Sequence, residues 1–156
     1  MNNLSFVWTA KTPLKTELCK PATRASLLFD HGMPMCLTLW RADGTGLKMF
    51  SQMHDVAERT EIGVLNFERT MAPLDFETFV DLPQTFRCEV AASKLVIRES
   101  GTSAESGVVL RVSDGEEVMV VAGAYPYSIA VLGVMSVPHI FEPEYNIDRY
   151  VRVPME

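Results

Sequence analysis

The segment spanning residues 94–134 constrains the fold most, because it holds four apolar runs joined by short polar connections. The runs are 94–98, 108–112, 118–121 and 128–134. They are rich in Val, Ile and Leu, which favour strands. Asp114-Gly115 supplies the positive φ angles of a tight hairpin turn between the second and third runs, and 100–107 is predicted to be a polar loop between the first and second. The segment therefore predicts four consecutive antiparallel strands.

Further strands are predicted upstream of this segment. The alternating run 36–41 leads through Asp43-Gly44 into 47–50, which predicts a second hairpin, and 60–67 predicts another strand. Residues 51–59 fit either a short helix or a continuation of the strand before them. The stretch 73–81 opens with proline and has acidic residues early, so it fits either a short helix or an irregular loop. Together these patterns predict a mainly β fold, an antiparallel β-barrel or β-sandwich with one or two short helices.

One domain is expected over residues 1–156, because this length and a hydrophobic content of 47% suit one continuous core. Residues 1–29 form a basic N-terminal segment, and 55–81 are mostly acidic. Such segments either dock on each other, within one chain or between neighbours, or remain two solvated faces. The aromatic, proline-containing C-terminal arm, 136–156, is predicted to pack on the core or on a partner, with an edge strand over 149–153.

Charge and cysteine content limit the partners and the compartment. The net charge of −6 repels phosphate backbones, so no nucleic-acid partner is expected. The uncharged stretch 118–140 is long enough to span a bilayer, but Pro126 interrupts it and no Lys or Arg flanks it, so buried strands are predicted and no membrane partner. Three widely spaced cysteines and the absence of a signal peptide favour a cytoplasmic location.

The sequence lacks the common catalytic signatures, including G-x-S-x-G, the P-loop and G-x-G-x-x-G. Cys36 and Cys88 each share a strand face with apolar residues, where burial disfavours a thiolate. Both cysteines are therefore predicted to be structural rather than nucleophilic.

One metal-like constellation lies in the C-terminal arm, where His139, Glu142 and Glu144 have the spacing H-x-x-E-x-E. His54 is a second candidate: in a helix it shares a face with Glu58, whereas in a strand it and Asp55 point to opposite faces. If these groups converge, they provide ligands for a divalent metal. A metal-dependent enzyme on a β scaffold is therefore the alternative functional hypothesis, and without it no cofactor is predicted.

Aromatic residues supply the other candidate sites. Tyr125-Pro126-Tyr127 lies between two apolar strands and is predicted to form a turn at the end of a sheet, where aromatics anchor interfaces or line a barrel mouth. Tyr145 and Tyr150 are further ligand or interface candidates. Five of the nine methionines fall in the least regular half of the chain, namely Met33, Met35, Met49, Met53 and Met71, and they suit either core filling or an adaptable binding surface.

The favoured hypothesis is a small acidic protein-interaction module without catalytic activity. It is expected to bind another protein or itself through a sheet edge, the aromatic C-terminal arm and the acidic central region. The C-terminal arm makes a homodimer a further expectation. A third hypothesis is a carrier that holds a small apolar ligand inside a barrel, beneath Tyr125 and Tyr127.

Overall fold

The computed structural model describes residues 2–58, 60–71, 79–81, 90–111, 116–133 and 140–155. These ranges contain eleven strands, one short α-helix and one 3-10 helix over Ile147–Arg149. The elements are β1 (Asn2–Leu4), α1 (Leu14–Leu18), β2 (Arg24–Asp30), β3 (Met33–Trp40), β4 (Thr45–Ala57), β5 (Thr60–Met71), β6 (Phe79–Asp81), β7 (Val90–Glu99), β8 (Thr102–Arg111), β9 (Glu117–Ala122), β10 (Ile129–Gly133) and β11 (Val151–Pro154).

The strands form two sheets. One has the order β10-β9-β8-β7-β11, with β1 parallel to the start of β8, and the other has the order β5-β4-β3-β2-β6. Every other pairing between named strands is antiparallel. The prediction of a mainly β, antiparallel fold with short helices is confirmed. In the described part of the chain neither sheet closes on itself, so the arrangement is sandwich-like rather than a closed barrel.

The predicted four-strand meander is present as β7 to β10. The loop predicted over 100–107 is wrong, because β8 already begins at Thr102. Ser100 and Gly101 alone make the turn, with φ angles of 52° and 74°. Two consecutive positive φ angles match the twist of the flanking strands and allow a two-residue hairpin turn. The turn predicted at Asp114-Gly115 lies outside the described residues.

The second hairpin pairs β4 with β5 from Thr45↔Met71 to Ala57↔Thr60. Strand β4 therefore runs through 51–57, and the helical alternative for this stretch is wrong. The helix considered over 73–81 is wrong for its last three residues, which form β6 against β2. Pairing with β2 outweighs the local helix signals in these three residues. Residues 72–78 lie outside the described ranges.

The main core fills the space between the two sheets. It includes Leu27, Leu37, Leu39, Leu47, Met49, Leu65, Val108, Leu110, Val118, Val120, Ile129 and Val131. A second cluster covers the opposite face of the six-stranded sheet and includes Ile62, Val64, Leu95, Ile97, Val109, Val121, Leu132 and Tyr150. Burial on both faces explains why β9 and β10 are almost continuously apolar. No helix in the described residues has the length and apolar character needed to cross a bilayer.

The N-terminal segment is held to the rest of the chain by Glu17, whose side chain is fully buried. The carboxylate pairs with Lys20 at 3.0 Å, with Arg41 at 3.1 Å, and with Arg69 of β5. Burial alone would raise the pKa of Glu17, but hydrogen bonds from Arg69 and Lys20 and the charge of Arg41 keep this pKa below its usual value. The ion pair between Glu17 and Arg69 thus joins the basic segment to the acidic stretch within one chain.

Candidate functional site

The turn predicted at Tyr125-Pro126-Tyr127 is present between β9 and β10. Hydrogen bonds close it at its base. The Ser128 amide and hydroxyl donate to the Tyr125 carbonyl at 3.1 and 2.6 Å, and the Gly123 amide donates to the Ser128 carbonyl at 2.8 Å. The turn therefore has a fixed shape.

The C-terminal arm packs alongside this turn. Ile140 exchanges two backbone hydrogen bonds with Val131, of 2.9 and 2.7 Å, and so covers the edge of β10. The chain then bends at Phe141, whose φ is 66°. The rings of Phe141 and Tyr125 lie 5.7 Å apart between centroids. We call Tyr125, Pro126, Tyr127 and Phe141 the aromatic corner.

Beyond Phe141 the arm reaches the end of β9. The Ala124 amide donates to the Glu142 carbonyl at 2.8 Å, and the Glu144 amide donates to the Ala122 carbonyl at 3.0 Å. The arm therefore bonds to the edge of β10 before the bend and to the end of β9 after it. This wrapping braces the aromatic corner from both sides.

The two tyrosines of the aromatic corner are exposed: Tyr125 retains 59% and Tyr127 56% of its accessible surface. Tyr127 also has a φ of 66°. The left-handed region is unfavourable for residues other than glycine, particularly bulky ones. The corner thus contains two exposed aromatic rings and two left-handed aromatic residues.

One cavity borders the aromatic corner at Tyr127, and a second lies beside the C-terminal arm. The first, of about 360 Å³, is lined by Tyr127 and by residues of β2, β3 and β4, namely Leu28, Met35, Cys36, Lys48, Phe50 and Ser51. The other, of about 380 Å³, is lined by Met119, Leu132, Glu142, Pro143, Asn146 and Ile147. Both have mostly apolar walls with one charged side chain among their described lining residues.

The first cavity contains groups that the sequence analysis did not assign to a site. Lys48 and Phe50 lie two residues apart on β4 and so share a face. This spacing in a predicted strand was the sequence signal that could have indicated a joint cation and aromatic site. The Lys48 ammonium lies 5.3 Å from the centroid of the Phe50 ring. Cys36 is 3% exposed, and burial raises the pKa of its thiol, as expected of a structural cysteine. Cys88 lies outside the described residues.

The metal-ligand candidates are not brought together in the described part of the chain. His54 lies on strand β4 opposite Ile62, so its side chain and that of Asp55 point to opposite faces. No three His, Cys, Asp or Glu side chains among the described residues are placed to hold a metal ion. His139 lies outside the described residues, so the site that includes it stays a prediction.

Glu144, one of the metal-ligand candidates, forms a hydrogen bond that holds the C-terminal arm against β5. Its carboxyl accepts a hydrogen bond from the Gly63 amide at 3.0 Å and so ties the arm to β5. The pKa of Glu144 is raised to about 6, mainly because the carboxyl is buried; the hydrogen bond from Gly63 lowers this pKa, and the nearby Glu61 charge raises it by a smaller amount. Gly63 is required here, because a Cβ at this position would lie 2.5 Å from the Ala122 Cβ.

Tyr145 and Tyr150 lie within the arm rather than on the aromatic corner. Tyr150 is only 9% exposed, and its hydroxyl accepts a hydrogen bond from the Tyr145 amide at 3.3 Å. Burial raises the pKa of both phenols, that of Tyr145 to about 12. The Arg149 guanidinium stacks 4.7 Å from the Tyr145 ring and pairs with Glu99 at 2.7 Å. These contacts fasten the arm to its own chain.

Comparison of the sequence with known protein families and with curated proteins, and of the fold with solved structures, finds no match. Function therefore has to be inferred from the residues themselves. The aromatic corner, with the cavity at Tyr127, combines exposed tyrosines, a hydrogen-bonded turn and left-handed backbone.

Proposed function

We propose that this chain is a non-catalytic protein-interaction module that binds its partner through the aromatic corner. The observation that carries the proposal is the pair of tyrosines, both more than half exposed, on a hydrogen-bonded turn. Tyrosine is enriched among the residues that dominate binding energy in protein interfaces. A partner that covers both rings would bury a large apolar area with a polar hydroxyl at its rim.

Backbone strain supports the same surface. A non-glycine residue held in the left-handed region costs about 1–3 kcal/mol. Tyr127 does not recover this cost by burying its ring, since the residue remains 56% exposed. Strain of this kind is concentrated at binding and active sites. A contact with a partner therefore explains the exposed, left-handed conformation of Tyr127 better than the stability of the isolated chain does.

Rigidity also favours binding at this position. The hydrogen bonds from Ser128 and from Ala124 fix the turn and the arm before any partner arrives. Ordering a side chain or loop on binding costs roughly 0.5–1.5 kcal/mol per side chain, and a preformed surface avoids part of that cost. The aromatic corner is preorganised in this sense.

The test is a selection of random displayed peptides on the intact chain, with counter-selection on the Tyr125→Ala/Tyr127→Gly double variant. Peptides that survive should bind the wild-type chain at micromolar concentrations in titration calorimetry. Their affinity should fall by about tenfold or more with the double variant, as expected when two interface anchors are removed.

The matched control is Val151→Ser/Val153→Ser, which changes two exposed apolar residues of β11. This strand lies at the opposite edge of the same sheet from β10, so the control should leave binding unchanged. Selected peptides that bind the Tyr125/Tyr127 double variant as tightly as wild type, or a selection that yields no binder, would contradict the proposal. If the partner is a second copy of the chain, the double variant should shift sedimentation equilibrium from dimer to monomer.

A further inference from the structure

We infer that the cavity beside Tyr127 binds the free C-terminus of a partner protein whose last residue is large and apolar. This inference rests on the proposed interaction function and names the part of the partner that is recognised.

The walls fit an apolar side chain. Leu28, Met35 and Phe50 line the cavity, with Tyr127 on one side. Its volume of about 360 Å³ is within the range of sites that hold small ligands or single anchoring groups. Methionine adapts its shape to different apolar groups, so Met35 allows more than one kind of terminal side chain.

In the described part of the chain, the cation of this cavity forms no ion pair. Lys48 is the one charged side chain among the described lining residues. The Lys48 ammonium lies over the Phe50 ring, and no carboxylate of the described residues lies within 4.0 Å of this ammonium. Glu68 faces Lys48 across the β4–β5 ladder but is exposed and does not line the cavity. An acceptor of opposite charge, a carboxylate, is the complementary ligand.

The spacing of the two features selects a chain terminus. Lys48 and Phe50 are two residues apart on one strand, and the Lys48 ammonium lies over the Phe50 ring, 5.3 Å from its centroid, which is closer than the roughly 7 Å between alternate side chains of an extended peptide. In an extended peptide neighbouring side chains point to opposite faces. An internal Asp or Glu beside an apolar residue would therefore direct its carboxylate away from the cavity. A C-terminal residue carries the carboxylate and the side chain on the same Cα, which suits this distance.

The experiment uses a synthetic peptide, Gly-Ser-Gly-Ser-Phe, as the free acid and as the amide. Binding to the intact chain is followed by NMR of ¹³C-labelled methionine methyl groups, with the Met35 signal assigned from Met35→Leu. The free acid should shift the Met35 signal and bind about tenfold or more tightly than the amide, the effect of one charge-assisted contact. Lys48→Met retains the apolar stem over Phe50 and should abolish the difference, whereas Lys48→Arg should retain it.

If acid and amide bind equally and both are weakened by Tyr127→Gly, the terminal-carboxylate inference is wrong and the proposed interaction function stands. If neither Tyr127→Gly nor Lys48→Met changes the affinity for the peptide, the proposed interaction function loses its support too. A Met35 signal unmoved by the acid peptide at millimolar concentration overturns the inference. So does 3-phenylpropionate if it binds as tightly as the peptide, because the cavity would then select a small carboxylate rather than a protein terminus.

Discussion

Replacing Glu144 with glutamine tests how the arm is held against β5. In the native chain the pKa of this carboxyl is raised by burial from 4.5 to about 6. The folded state therefore binds the proton more tightly than the unfolded state, and the carboxyl stabilises the fold fully below pH 4.5. That contribution is lost as the pH rises from 4.5 through about 6. The difference between the two pKa values corresponds to a loss of about 2 kcal/mol at most.

Glutamine removes the ionisation but keeps an oxygen that can accept the hydrogen bond from Gly63. We therefore expect Glu144→Gln to be more stable than wild type at about pH 8, by up to about 2 kcal/mol, and no more stable than wild type near pH 4.5. For a chain of this length the gain corresponds to a rise in Tm of about 4–8 °C. The assay is urea unfolding across this pH range, followed by fluorescence of the buried Trp40.

The matched control is Glu58→Gln, in the turn between β4 and β5, where the side chain is exposed. The control should follow the wild-type pH profile. Other carboxylates, such as Glu117 with its lowered pKa, act in both proteins and cancel in the comparison. A difference between Glu144→Gln and wild type that stays constant across the pH range would refute the reasoning, as would a loss of stability at high pH.

Three further substitutions probe strain, close packing and buried charge. Gly63→Ala should lower the free energy of unfolding by about 1–3 kcal/mol, because the added Cβ would clash with the Cβ of Ala122. In urea unfolding, the additional substitution Ala122→Gly should restore part of that loss. If the effects of the two substitutions are purely additive, the contact between them is contradicted. Tyr127→Gly should raise the unfolding free energy by about 1 kcal/mol, since glycine accepts the left-handed φ without strain, and an unchanged Tm would argue against strain. Glu17→Gln should destabilise the chain by about 3 kcal/mol, because Arg41 is left as a buried charge without its partner, and a loss below about 0.5 kcal/mol would show that solvent replaces the pair.

Much of the fold follows from local sequence signals, and its exceptions have a physical cause. The alternation in β3 and the apolar runs of β9 and β10 each predict a strand from a few neighbouring residues. The start of β8 was missed because Thr102, Ser103 and Ser106 resemble a polar loop. In the structure Thr102 and Ser106 are buried, and the Ser106 hydroxyl donates to the Gly63 carbonyl at 2.6 Å. A partner 43 positions away satisfies the polar group and overrides its local preference.

For the candidate site too, features set by neighbouring residues were predictable and features set by distant contacts were not. The turn at Tyr125-Pro126-Tyr127 was predictable, because proline between two apolar runs is a local signal. The cavity beside it was not, since it forms only when β2, β3 and β4 meet the turn that precedes β10. Glu144 was identified by its spacing from other possible ligands, yet its observed hydrogen-bond partner, Gly63, is 81 residues away. Contacts of this range cannot be derived from spacing in one sequence.

The architecture also favours an end of the six-stranded sheet as the place of the proposed binding surface. Over β8 to β10 both faces of that sheet are covered, one by the main core and the other by the second cluster, whereas Val151 and Val153 of the edge strand β11 are exposed. At one edge Ile140 occupies the backbone groups of Val131, and at the other β11 ends in Pro154, which lacks an amide donor. A partner that approaches this sheet therefore meets side chains that are already packed on its faces and a blunted strand on its outer edge. At the turn between β9 and β10, in contrast, the described residues present two uncovered tyrosine rings on a fixed backbone.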